Sequence, residues 1–319
     1  MPPGKIAPAE RYYPAPDTAI VSCYFNFSGY RSAAKNLIAF LSSLEESHLE
    51  WLLVECAFED AGFLLPSSRR IVHIRSRDVM WQKERLLNLA VASLSERYSK
   101  VVWLDCDVLF ENPKWLVQTS ELLDSVPIVQ PFTQAIWLRP EPSDLRSSGE
   151  ETWSSFAAVY TKYPNAALLG RYDWHGHTGF AWAARRDTVA RHGLYDACLG
   201  GSGDHLMAHA FVGDWSSACL TYSLGCDTPF FRHFVDWSER IYPEVRAQVQ
   251  FVPGTLLHLW HGTIANRHYA SRHLKLIQLG FDPRHDIRIG PSGCWEWNSA
   301  KTELHQHARE YFLLRKEDG

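Results

Sequence analysis

Two aspartates stand two positions apart where an apolar run ends, in Lys100-Val-Val-Trp-Leu-Asp105-Cys-Asp107-Val-Leu-Phe110. At i and i+2 of an extended segment they share a side. Buried like charges are costly unless something positive joins them. A hard divalent cation that also bridges a diphosphate fits such a pair. Three more segments could do chemistry. The first is a glycine turn before an apolar run, Trp174-His-Gly-His-Thr-Gly179-Phe-Ala-Trp182. The second is Gly200-Gly-Ser-Gly-Asp204-His205, where a helix starts. Asp204 there has the residue type of an ordinary N-cap. The third is His258-Leu-Trp-His261-Gly262. In a strand the two histidines would face opposite sides, so only one should reach Asp107. His261, at the strand end beside Gly262, is the preferred one.

These segments need a scaffold, and the periodicity supplies it. Thr18–Phe25, Trp51–Ala57, Arg70–Ile74 and the run up to Asp105 read as buried strands. Tyr30–Glu46 has helical spacing, with Ala34, Leu37, Ile38, Leu41 and Leu44 on one face. Trp81–Arg97 is a second helix, facing inward with Leu86, Leu89, Ala90 and Leu94. The order β-α-β-β-α-β implies an α/β fold with a doubly wound, mostly parallel sheet. Open sheets of this kind bind ligands at the carboxyl ends of their strands, where Asp105 lies.

Beyond residue 111 the elements are less regular. Val126–Pro131 reads as a strand, Trp153–Tyr163 as a helix and His177–Ala184 as a strand. Asp204–Val212 reads as a helix, Gly254–Gly262 as a strand, and Asn266–Leu279 as a basic helix stopped by Gly280. Residues 1–17 hold five prolines and form an N-terminal arm. Arg139–Glu151, rich in Pro, Ser and charge, reads as a surface loop.

Composition excludes several classes. The chain has 319 residues, 46% of them hydrophobic, and a net charge of -4, so no general basic field for nucleic acid exists. No apolar run approaches the roughly 18 residues that span a bilayer. The N-terminus has no apolar signal core, and a cytoplasmic protein is expected. Seven cysteines stand singly without a CxxC pair, which argues against structural zinc and a disulfide framework. Cys23, Cys56 and Cys106 fall in or beside core strands as reduced thiols. Thirteen tryptophans suit a core, and also sugar or base stacking.

Taken in order, the four segments resemble the GT-A glycosyltransferases. That superfamily shows a DxD motif, a glycine-containing segment, an acidic residue opening a helix, and a C-terminal histidine joining the metal. The resemblance spans residues 18–262. It implies a GT-A, Rossmann-like catalytic domain over 18–262, with a nucleotide-sugar half (18–110) and an acceptor half (111–262). Residues 263–319 would form a C-terminal helical extension on the acceptor side. It implies a metal-dependent transfer of a sugar from a nucleotide sugar, a UDP-sugar by expectation, to an acceptor hydroxyl. Mn or Mg would be held by Asp105, Asp107 and His261. Asp204 matches the acidic position of the base. The donor would meet Ser22, Tyr24 and Asn26 after strand one, Glu55 after strand two, and Trp81, Lys83 and Asn88 around the helix before Asp105. Asp105 itself and Gly179 would also line the donor pocket. Lys83 either pairs with a phosphate or belongs to a solvated helix face.

A narrower resemblance rests on Met80-Trp-Gln-Lys-Glu-Arg-Leu-Leu-Asn88, on the DxD strand, and on two later runs. These are His258-Leu-Trp-His-Gly-Thr-Ile-Ala-Asn-Arg267 and Phe281-Asp-Pro-Arg-His-Asp-Ile287. They are similar to a phage and bacterial subgroup related to the base J glucosyltransferases, which decorate hydroxymethylated pyrimidines in DNA. The acceptor it implies is a 5-hydroxymethylpyrimidine in DNA, with Trp137, Trp174 or Trp260 available to stack on an extruded base. Residues 255–290 carry five Lys/Arg against two Asp. Such a basic helix contacts phosphates or closes the donor site. Two other readings compete. A sugar nucleotidyltransferase would need a Gly-rich, Lys/Arg-containing loop after strand one, which Tyr24-Phe-Asn-Phe-Ser-Gly-Tyr30 is not. A non-catalytic carbohydrate- or nucleic-acid-binding module would not need the paired aspartates.

Overall fold

The computed structural model describes residues 14–140, 151–169, 174–268 and 272–319. Most of the N-terminal arm and of the 139–151 loop lies outside the described residues. The first half follows the expected order: β1 (Thr18–Tyr24), α1 (Arg31–Glu46), β2 (Trp51–Phe58), β3 (Ile71–Ser76), α2 (Lys83–Ala92) and β4 (Lys100–Leu104). All five residues of β4 are buried, as both faces of a central parallel strand require. In α1 the buried stripe is Asn36, Leu37, Phe40 and Leu44. Ile38, expected on that face, is 50% exposed. One residue turns a helix by about 100°, and Phe40 completes the stripe instead.

After β4 come β5 (Val108–Phe110), α3 (Trp115–Ser125), β6 (Ile128–Gln130), β7 (Gln134–Trp137), β8 (Glu151–Ser154), α4 (Phe156–Lys162), α5 (Pro164–Leu168) and β9 (Ala181–Arg185). The helix expected over 153–163 is thus a strand, then a helix capped by Ser155, whose Oγ accepts from the Ala158 amide. The strand expected from His177 starts only at Ala181, because 175–180 turn into the site. Next are α6 (Arg186–His192), α7 (Gly203–Phe211), α8 (Ala218–Leu224), α9 (Pro229–Val245), β10 (Val249–Phe251) and β11 (Thr255–His258). The helix expected over 266–279 is divided into a 3-10 turn at Ile264–Arg267 and a short α10 (Leu274–Gln278). His268, with φ +51°, ends the first. The chain closes with α11 (Pro283–Asp286), β12 (Ile287–Ile289), β13 (Trp295–Trp297) and α12 (Thr302–Leu314).

The main sheet has the order β10-β6-β9-β4-β1-β2-β3. All its pairs are parallel except those of β9, which runs antiparallel between β4 and β6. The sheet is therefore α/β, doubly wound and mostly parallel, as expected. A second sheet, β5-β11-β7-β8, ties the segment after β4 to β11. The tail folds back onto the start of the chain. Phe312 packs edge-on against Phe25 and Phe58, with ring centroids 6.0 and 5.6 Å away. The Asp318 carboxylate accepts from the Arg31 and Ser32 amides at the N-terminus of α1, where a negative charge is favoured. No helix among the described residues is long and apolar enough to cross a membrane.

Candidate active site

A cleft of about 380 Å³ opens at the carboxyl ends of β1 and β4. Those strands are parallel neighbours, so the residues following each meet there. Its walls include Tyr24, Asn26, Trp81, Lys83, Asp105, Asp107, Gly179, Asp204, His258 and His261. Four segments far apart in sequence are thereby brought together.

Asp105 and Asp107 lie in the turn between β4 and β5, not in the strand, and they serve different partners. Asp105 Oδ1 is 2.5 Å from Lys83 Nζ, and that nitrogen is 2.5 Å from Asp204 Oδ2. Burial alone would lower the Lys83 pKa, but the two carboxylates hold the ammonium well above its usual value. Burial pushes the Asp105 carboxyl up to about 6, with Lys83 opposing and Asp204 and Asp107 adding repulsion. Lys83, expected on a phosphate or in solvent, instead bridges two acids. Asp105, expected on a metal, spends an oxygen on that bridge.

Asp107 turns the other way. Its Oδ2 is 2.9 Å from His261 Nε2 and 3.7 Å from His258 Nε2, and the two Nε2 atoms are 2.9 Å apart. Both histidines reach Asp107, against the expectation of one. The reason is that β11 ends at His258, so strand alternation does not govern His261. Burial would raise the Asp107 pKa, yet His261 and His258 hold it well below the carboxylate range. Burial pulls His258 down to about 4, keeping that imidazole neutral. Asp107 Oδ1 is buried and accepts no hydrogen bond among the described residues. A buried carboxylate oxygen without a donor calls for a ligand. One carboxylate and two imidazoles within 4.8 Å form a cation-ligand set, with mixed O/N donors that suit Mn. Arg267 Nη2 donates to His261 Nδ1, with Glu317 Oε1 3.5 Å from the same nitrogen, so the ring proton lies on Nε2 toward Asp107 and a metal there would displace it.

Glycine geometry sets the floor of the cleft. A Cβ on Gly203 would lie 2.3 Å from Glu84 Oε1, so only glycine lets the start of α7 approach α2. The Gly179 amide donates to His177 Nδ1, and the His177 ring stacks on Phe180 at 3.9 Å. Burial pushes His177 down to about 3.

The tail supplies residues that sequence reasoning missed. Arg315 and Glu317 line the cleft beside Arg267 and Arg272. Glu317 Oε1 accepts from Arg315 Nε at 2.6 Å and from Arg267 Nη1 at 3.2 Å. Arg272 and Arg315 both donate to the Tyr311 hydroxyl, at 3.0 and 3.2 Å. Burial opposes it, but these two guanidiniums lower the Tyr311 pKa. Among the described residues, three buried guanidiniums face the Glu317 carboxylate at this end of the cleft. Their place also removes Arg267 and Arg272 from any outward basic face. Of the other cations there, Arg284 pairs with Asp236 and Arg288 with Glu296.

Three expected donor residues are not in the cleft. Ser22 donates beneath it to the Leu104 carbonyl. Glu55 accepts from the Leu64 and Leu65 amides and fixes the β2–β3 connection. Asn88 donates to the Leu194 carbonyl at 3.0 Å and accepts from its amide at 2.7 Å. Of the stacking candidates, Trp137 lines the cleft, and Trp174 is 50% exposed. Trp260 instead offers its carbonyl to Asn36.

No family model and no curated protein matches the chain. Solved structures do. The catalytic domain of Drosophila beta1,4-galactosyltransferase 7 with xylobiose is 10% identical, covering 91% of this chain and 98% of that one, with a TM-score of 0.43. Mannosyl-3-phosphoglycerate synthase from Rubrobacter xylanophilus is 11% identical over 88% and 85%, with a TM-score of 0.40. Glucosyl-3-phosphoglycerate synthase from Mycobacterium tuberculosis, solved with Mn2+ and UDP, is 12% identical over 82% and 79%, with a TM-score of 0.37. At these values the likenesses decide neither activity nor ligand, which rest on the cleft itself.

Proposed function

We propose that the cleft takes a nucleotide sugar and transfers its sugar to an acceptor hydroxyl, as GT-A glycosyltransferases do. The observation that supports this most is Asp107, with one oxygen against two imidazoles and the other buried without a donor. Asp107, His258 and His261 would hold a divalent cation, Mn or Mg. When bound, it would neutralise the departing diphosphate as a Lewis acid.

The other roles belong to the chain. Arg267, Arg272 and Arg315 receive the diphosphate, a task first expected of Lys83. Tyr24, Asn26 and Trp81 border the nucleotide. Ser28, Trp81 and Trp137 also line the cleft, and Ser28 Oγ, Trp81 Nε1 and Trp137 Nε1 are buried without a hydrogen-bond partner among the described residues. In an inverting transfer the acceptor oxygen bonds to the anomeric carbon, the bond to the diphosphate oxygen breaks, and Asp204 takes the hydroxyl proton. Lys83 orients Asp204. A Cβ at Gly179 would stand 3.8 Å from Asp204 Oδ2, so glycine there leaves the acceptor room. A screen of nucleotide sugars for Mn2+-dependent hydrolysis tests the reading. Release of UDP that EDTA stops is expected; no release from any donor, with or without acceptors, would defeat it.

For the acceptor we propose a 5-hydroxymethylpyrimidine in DNA, on the sequence resemblance alone, since of the arginines that suggested a phosphate-binding face Arg267 and Arg272 are buried, and Arg284 and Arg288 pair with Asp236 and Glu296. Labelled donor offered to duplexes with 5-hydroxymethyluracil, 5-hydroxymethylcytosine or thymine decides it. Transfer to a glycan or small molecule, with none to either modified duplex, would replace this acceptor and leave the transferase reading standing.

A further inference from the structure

At the back of the cleft, whose lining includes His175 and His205, lies a second cluster: His175 from the turn before β9, His205 and His209 from α7, and Cys219 from α8. Each is at most 4% exposed, and their donor atoms all lie within 4.8 Å of one another. His205 and His209 are four apart on one helix and so share a face. The three ring centroids are 4.7, 5.0 and 5.2 Å apart. Cys219 Sγ is 3.5 Å from His209 Nε2. That is the edge of a tetrahedron built on bonds of about 2.0 Å to nitrogen and 2.3 Å to sulfur.

The surroundings fix which nitrogens face inward. His209 Nδ1 lies 2.7 Å from Asp214 Oδ2, and a carboxylate only accepts, so that nitrogen carries the proton. Asp214 is itself held by the Ser216 and Ser217 amides. His175 Nδ1 lies 2.7 Å from the Gly176 carbonyl, which also only accepts. With Nδ1 donating outward in both rings, Nε2 is the nitrogen that faces the cluster. A carboxylate or carbonyl on the outer nitrogen is the usual support of a metal-bound imidazole.

We propose that His175, His205, His209 and Cys219 form a closed structural site for zinc, separate from the cation site of the cleft. Three imidazoles and a thiolate select zinc over magnesium or manganese, and four protein ligands leave no open position. Its position assigns it a task. His205 follows Asp204, and His175 leads into the turn that places Gly179. Zinc there ties that turn to α7 and α8, and so sets the two walls between which Asp204 works. The site stands whether or not the cleft takes a nucleotide sugar.

The full-length protein, stripped with a chelator and refilled with Zn2+, should retain about one zinc per chain after dialysis, and heating should then unfold it at a higher temperature. Refilling with Co2+ should give the visible bands of a tetrahedral centre with a thiolate charge-transfer band. Cys219→Ser should lose the charge-transfer band, and Asp214→Asn should weaken zinc binding on the order of 10- to 100-fold. If the wild-type protein keeps no zinc, or its cobalt spectrum lacks the thiolate band, the site does not exist. The same holds if the band survives Cys219→Ser. The wild-type titration needs no variant to fold.

Discussion

The two histidine clusters flank the turn 175–180, and they differ in what accompanies the imidazoles. In the cleft, His258 and His261 meet the carboxylate of Asp107, one oxygen of which is unused. At its back, His175, His205 and His209 meet the thiol of Cys219 and are sealed by Asp214 and a backbone carbonyl. A cation that meets substrate needs an open position and oxygen ligands; one that braces a fold needs closure and a soft ligand. One chain thus offers a single residue type to two kinds of site, and the group that joins the imidazoles decides which.

Asp107→Ala should break the first site without touching the second. We expect loss of cation-dependent turnover by at least about a thousandfold, as removing a Lewis acid worth several kcal/mol implies, with zinc content unchanged. Turnover and metal analysis on one preparation check both halves. Asp204→Asn should slow transfer by about 10² to 10⁴ while UDP affinity moves little, because a base acts on the hydroxyl and not on the donor. Unchanged transfer would make Asp204 only the partner of Lys83. Of the cleft histidines, His261→Ala should cost more activity than His258→Ala, since His261 stands nearer to Asp107. Equal, near-wild-type rates in both would remove them from the cation.

The smallest effect concerns the wall between the sites. Burial pushes the Glu84 carboxyl up to about 8 from the ordinary 4.5. Its folded pKa is raised, so its stabilisation is complete below about 4.5 and is lost as pH rises through about 8. Thermal unfolding should show a decline over that window, and Glu84→Gln should flatten it. An unchanged slope in the variant would move the titration to another group.

Much of the first half was legible because β1, β2 and β4 are unbroken apolar runs and α1 and α2 keep helical spacing. The convergence of residues 105–107, 179, 204 and 258–261 was also legible from the order of the four segments: three stand at a strand end or a helix start, and 179 leads into β9. Side-chain partnership was not. Asp105 and Asp107 diverge because they sit in a turn, which strand spacing does not describe. Ser22, Glu55 and Asn88 have polar types that suit a ligand, but nearby backbone groups claim them. The long helix α9 was not among the expected elements, although Phe230, Phe234, Trp237, Ile241 and Val245 form its buried stripe, with Thr228 capping and Pro229 opening it. The tail gave no local sign that Arg315 and Glu317 return to the cleft. Of the zinc ligands, His205 and His209 do keep a paired H-x3-H spacing on α7, but His175 and Cys219 join them only when three elements pack.

The cleft reading predicts that UDP binding depends on a divalent cation through Asp107. Isothermal titration of the wild-type protein with UDP, in Mn2+ and then in EDTA, measures this directly. The expected result is an affinity at least about tenfold tighter in Mn2+, a gain of about 1.4 kcal/mol, that disappears in Asp107→Ala. Equal affinity in both buffers, or a manganese effect that persists in the variant, would contradict it.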